Sequence, residues 1–100
     1  MLVTLQEAKK YLRVDSADED LTIATLLSAS CRLCTDVARL SEAQWEAIDA
    51  GEGEAAVMET MKVAILYALG YLFEHREEAD HHDLTLTLRS LLFAVREGVV

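Results

Sequence analysis

The stretch Met61-Lys-Val-Ala-Ile-Leu-Tyr-Ala-Leu-Gly-Tyr-Leu-Phe-Glu-His-Arg-Glu77 decides the fold. From Val63 to Phe73 it is apolar for eleven residues, with Lys62 before it and Glu74-His75-Arg76-Glu77 after it. A membrane span needs roughly 20 apolar residues, whereas a run of about 10–14 reads as a buried core helix. One seam passes through Met58, Met61, Ile65, Leu69 and Leu72 at the 3-and-4 spacing of a helix face. A second passes through Val63, Leu66, Gly70 and Phe73, and a third through Val57, Ala64, Ala68 and Tyr71. A helix that is apolar on every side has to be covered on every side. In so small a chain, either the other helices wrap it or neighbouring subunits complete the cover.

Length and composition narrow the class further. One hundred residues make one domain, 1–100, with a single core. A hydrophobic content of 52% is too high for a disordered chain, and the absence of proline favours uninterrupted helices. No N-terminal segment joins basic residues to an apolar core region, so no secretion signal is expected, nor any membrane partner. Cys31 and Cys34 cannot build a disulfide framework and fit a reducing cytosol. Nine basic against eighteen acidic residues give a net charge of −9, which opposes an electrostatic search for nucleic acid. Between Leu40 and Met61 stand six acids (Glu42, Glu46, Asp49, Glu52, Glu54, Glu59) and no base. Such a run is either a solvated face, the commoner case, or an acidic docking surface.

Punctuation marks out the remaining helices. Thr4-Leu-Gln-Glu7 is a capping box, in which hydroxyl and carboxylate each satisfy an amide at a helix start. The short helix that follows is expected to end near Leu12. Ser16-Ala-Asp-Glu19 repeats the box and predicts a second helix from Asp18 to Leu40, with Asp18, Glu19 and Asp20 at its positive end. Its two seams are Ala24, Leu27, Cys31, Cys34, Ala38 and Ile23, Leu26, Ser30, Leu33, Val37. Ser41-Glu-Ala-Gln44 is a third box, before a short helix around Trp45 and Ile48. Gly51 and Gly53 break the chain, and the long apolar helix is expected over Glu54–Glu77, antiparallel to the second helix. A polar loop from Glu78 to Asp83 leads to a last helix with Leu84, Leu88, Leu91, Leu92 and Val95 inward, ended by Gly98. Only Leu84-Thr-Leu-Thr-Leu88 approaches the period of a strand. The expected fold is all-α, a small bundle of four to five helices around the long apolar one.

Several groups come near to chemistry without completing it. Cys31-Arg-Leu-Cys34 has C-x-x-C spacing but lies mid-helix, whereas a redox pair uses a helix N-terminus to lower its thiol pKa. A zinc site would need two more ligands, and no second C-x-x-C exists. Both thiols read as small buried core residues. His75, His81 and His82, with Glu74, Asp80 and Asp83, form the densest set of metal-ligating types, mostly in a loop where such residues are simply well solvated. No nucleophile has an assignable base and orienting group, and no phosphate loop occurs, so neither an enzyme nor a cofactor is expected. Tyr67, Tyr71 and Phe73 lack the interleaved bases of a nucleic-acid stacking surface and read as core.

In their order, three segments resemble the small head–tail connector proteins of tailed bacteriophages, a family also described as DNA-packaging proteins. They are Leu2-Val-Thr-Leu-Gln-Glu-Ala-Lys-Lys-Tyr-Leu-Arg-Val-Asp15 with Glu19-Asp20, then Lys62 to Glu77, then Leu91-Leu-Phe-Ala-Val-Arg96. The chain departs from the family's usual pattern at Phe73 and His75, and at Asp83-Leu-Thr-Leu86, where no proline precedes the last helix. The resemblance implies a structural protein that forms a ring of about twelve copies beneath the portal. DNA would pass through the ring without being read or cut. The implied partners are further copies of the chain, the portal and tail proteins, and the implied location is the virion, with the bacterial host cytoplasm during assembly. The alternative is a small cytosolic helical interaction module, such as a regulator or antitoxin, dimerising through the Ala24-to-Ala38 seam.

Five residues stand out as structural or interface candidates: Glu7, Asp20, Trp45, Arg76 and Arg96. Arg76 and Arg96 each close an apolar helix. Arg76 is expected to be held by Asp20 or Glu7 in a buried pair, whose rupture would cost about 3–5 kcal/mol. Each arginine can equally sit exposed at the C-terminal end of its helix, which its charge favours.

Overall fold

The computed structural model describes residues 1–77 and 80–98. Six helices follow one another: α1 (Leu5–Leu12), α2 (Asp20–Val37), α3 (Glu42–Asp49), α4 (Ala55–Glu74), α5 (His82–Leu91) and α6 (Phe93–Glu97). The described residues contain no strand. The fold is all-α as expected, with six helices rather than four or five. Leu84–Leu88, the segment nearest to strand periodicity, is helical within α5.

Two of the three expected capping boxes form. The Thr4 hydroxyl accepts from the Glu7 amide at 3.1 Å, and the Ser41 hydroxyl accepts from the Gln44 amide at 3.1 Å. The third does not. The Ser16 hydroxyl accepts from the Asp18 amide at 2.9 Å in a tighter turn, and α2 begins only at Asp20. Glu19, at the cap position, makes no capping hydrogen bond and instead holds Arg76. At its other end α2 stops at Val37, short of Leu40, because Arg39 takes a left-handed conformation (φ 56°) and the Leu40 amide turns back to Thr35 at 3.1 Å. The long helix likewise runs Ala55–Glu74 rather than Glu54–Glu77, since His75 leaves helical geometry and closes the last turn on the Tyr71 carbonyl.

Between α3 and α4 the chain turns sharply. Gly51 is left-handed (φ 83°), and a Cβ on Gly53 would sit 2.9 Å from Ile48 Cγ1. A side chain at the first position would be strained, and one at the second would collide with the core. The last helix is two: it breaks at Leu92, which lets Leu84, Leu88 and Leu92 stay buried in one seam. Leu91 is exposed and Val95 only half-buried, so neither points fully inward as expected. Gly98 is left-handed and ends α6. The expected loop begins at Glu78, which with Ala79 lies outside the described residues.

Helices α2 and α4 form the main packing pair, and α1 and α5 each lie against both of them. The pair is antiparallel, because Arg76, just past α4, meets Glu19 at the start of α2. One hydrophobic cluster joins Ile23, Leu27 and Cys34 of α2 to Met61, Ala64, Ile65, Ala68, Leu69 and Leu72 of α4. Ser30 is also fully buried there, and its hydroxyl is satisfied by donating to the Leu26 carbonyl at 2.8 Å.

Cys31 is half-buried and Cys34 fully buried, both as free thiols. Burial pushes Cys34 up to about 12 and Cys31 up to about 11. At pH 8 the thiolate needed for reaction is therefore scarce in the folded protein. Alkylation of Cys34 by iodoacetamide should proceed only as the chain unfolds, with labelling followed by mass spectrometry against urea. Replacing both cysteines with alanine should cost about 1 kcal/mol each.

Candidate functional site

Three ion pairs fasten the first, second and fourth helices to one another. Lys9 meets Asp20 at 2.7 Å, joining α1 to α2, and Lys62 meets Glu7, joining α4 to α1. Arg76 meets Glu19 at 2.9 Å, closing the third side. The Lys62 contact and the Thr4 amide together hold the Glu7 carboxyl below its ordinary pKa. Glu7 and Asp20 thus have internal structural roles, and neither is the partner of Arg76.

Arg76 is also less buried than its sequence context suggests. Its side chain is 46% exposed, and its guanidinium lies over the Phe73 ring at 4.7 Å from the centroid. The apolar run ends in solvent here because α4 stops at Glu74, two residues before the arginine. An exposed pair is worth about 0–1 kcal/mol, and a cation–π contact at such a site adds roughly 0.5–1 kcal/mol. Arg76→Ala should therefore lower stability by about 0.5–2 kcal/mol in a urea titration, well short of the cost of a broken buried pair. Arg96 is half-buried, and its Nε has no hydrogen-bond partner among the described residues. Trp45 is half-buried beside Cys31 and Leu40 in the groove between α2 and α3.

The histidines do not converge on a metal site. His75 stacks on Tyr71 with ring centroids 4.2 Å apart, while His81 meets the same ring edge-on at 6.0 Å. Among the described residues no three His, Cys, Asp or Glu side chains come together as a metal-holding group. The six acids between Leu40 and Met61 are mostly exposed, with Asp49 the exception, its carboxylate accepting from the Leu2 amide at 2.7 Å.

A surface of different character lies on α4. Its buried positions share one face, and the opposite face carries Ala56, Glu59, Val63, Tyr67 and Glu74 to solvent. Val63 is 57% exposed and Tyr67 41%. Leu91 of α5 borders this strip beside Val63, and Tyr11 of α1 borders it beside Tyr67. By length and composition α4 could cross a membrane, yet only 28% of its most apolar window is buried within the chain. Among the described residues the chain's own helices therefore cover one face of α4 and do not wrap it on every side. Sequence reasoning placed Val63 on an apolar seam and took Tyr67, which lies on none of the three seams, for core. It also passed over Leu21, which belongs to neither α2 seam and is 82% exposed.

Of the α2 seam considered for dimerisation, Leu27, Cys34 and Ala38 are buried inside the chain and Cys31 is half-buried, while Ala24 is exposed. Compared with known proteins, the chain matches no family model, no curated protein and no solved structure.

Proposed function

We propose that this chain is a structural head–tail connector of a tailed bacteriophage or prophage, acting without catalysis. Copies of it assemble into a ring beneath the portal, and DNA passes through the hole. The observation that carries this reading is the outward face of α4, where Val63 and Tyr67 stand exposed and uncovered by the described residues. An apolar face rimmed by polar residues marks an interaction site. The three segments that resemble the connector family supply the identity of the assembly. The net charge of −9 is compatible with a conduit to which DNA must not adhere.

Electron microscopy of the protein at high concentration, alone and with a candidate portal, tests the proposal. Rings seated on the portal are the expected result. Stable dimers without portal affinity would overturn it in favour of a cytosolic interaction module.

A further inference from the structure

We infer that the outward face of α4 docks on the outward face of α2 of a second copy of this chain, in one antiparallel register. The inference rests on reading the α4 face as an assembly surface, and adds its occupant and alignment. The outward face of α2 carries Leu21, Ala24, Thr25, Ser28, Ala29 and Arg32, all exposed, opposite the buried Ile23, Leu27, Ser30 and Cys34. Between Leu21 and Arg32 the side chains are small and form a shallow trough. The α4 face is its counterpart, a ridge with bulk at Val63 and Tyr67.

Charge selects the occupant. The ridge carries Glu59 and Glu74, while Lys62, the one base on α4, is engaged with Glu7. If α4 packed on its own copy, acid would face acid with the helices parallel, and again with them antiparallel and centred between Glu59 and Glu74. The α2 trough instead offers Arg32, and neither Arg32 nor Glu59 has an ion pair among the described residues.

The residue types select the register. With the helices antiparallel and Glu59 set against Arg32, Val63 falls against Ser28, Tyr67 against Ala24 and Gly70 against Leu21, over eleven residues or roughly 16 Å. Charge meets charge, each large side chain meets a small one, and Leu21 arrives against the Tyr11 ring that lies over Gly70. At Gly70 the Tyr11 ring lies close to the backbone, and an open groove of about 490 Å³ is bordered by Tyr11, Tyr67 and Phe73. Leu21 of the second copy seats among these rings.

Ridge and trough lie on opposite sides of the α2–α4 pair, because each is the reverse of a face that joins the two helices. Each copy therefore offers a ridge on one side and a trough on the other. Contacts of this heterologous kind propagate into a closed ring or a filament.

Two variants at exposed positions test the inference, each checked by circular dichroism for an unchanged fold. Val63→Asp disables the ridge, and Ala24→Glu disables the trough. Sedimentation velocity should show wild-type chains associating beyond a dimer and each variant alone as a monomer. An equimolar mixture should stop at a one-to-one dimer, built from the single intact ridge and trough. Arg32→Glu and Glu59→Arg should each weaken association about tenfold, and mixing them should restore it. If Ala24→Glu assembles like wild type while Val63→Asp does not, α2 is not the occupant, and the inference fails while the α4 assembly surface stands. Wild-type assembly by both variants, or a wild-type chain that stays monomeric whether or not it binds phosphatidylcholine vesicles, overturns both.

Discussion

Replacing Leu69 with alanine should lower the free energy of unfolding by about 2–5 kcal/mol, the range for emptying a buried leucine site. Leu69 is fully buried in the cluster that α2 and α4 share, on a helix held along that face by α1, α2 and α5. Those helices cannot collapse into the gap without disturbing their other contacts, so a cavity remains. A domain of this size is stable by about 5–15 kcal/mol, so the loss is a large fraction of the whole. The melting temperature should fall by roughly 10 °C or more. Leu21→Ala serves as the contrast: the side chain is 82% exposed, and its removal should change stability by less than about 0.5 kcal/mol. Equal losses at the two positions would mean that the assigned faces of the helices are wrong.

The largest functional effect is expected at Tyr67. Tyr67→Asp should leave the monomer folded, with a stability change of about 1 kcal/mol, and should weaken assembly far more. Truncating an aromatic anchor at the centre of an interface costs roughly 2 kcal/mol or more, about thirtyfold in the association constant. The substitution also adds a carboxylate to a face that already carries Glu59 and Glu74. Light scattering across a concentration series, with circular dichroism as the folding control, separates the two effects. Unchanged assembly would remove the outward face of α4 from the proposed ring contact.

Ser16 shows where local reading reaches its limit. The motif Ser16-Ala-Asp-Glu19 has the composition of the boxes at Thr4 and Ser41, yet α2 starts at Asp20. There the Ser16 hydroxyl accepts from the Asp18 amide, and the Glu19 carboxylate is engaged by Arg76, 57 residues away in the sequence. No local pattern contains that information. The pairing of Arg76 went astray for the same reason: Asp20 and Glu7 were taken by Lys9 and Lys62. The candidate surface was half legible. That α4 is apolar on every side and needs cover on every side follows from its seams, but which side the chain leaves outside does not.

By itself the sequence determined the helical class, two of the helix starts, the glycine turn before α4, and the buried seam Met61, Ile65, Leu69, Leu72. These are local matters: hydrogen bonds across three residues, backbone dihedrals, and the period of apolar side chains along one helix. Only the tertiary structure decided that Val63 and Tyr67 face solvent, that Leu21 stands free, and that Arg76 pairs with Glu19. On a helix apolar all round, every face gains similarly from burial. The choice among them is made by which neighbouring helices arrive and how many there are to pack.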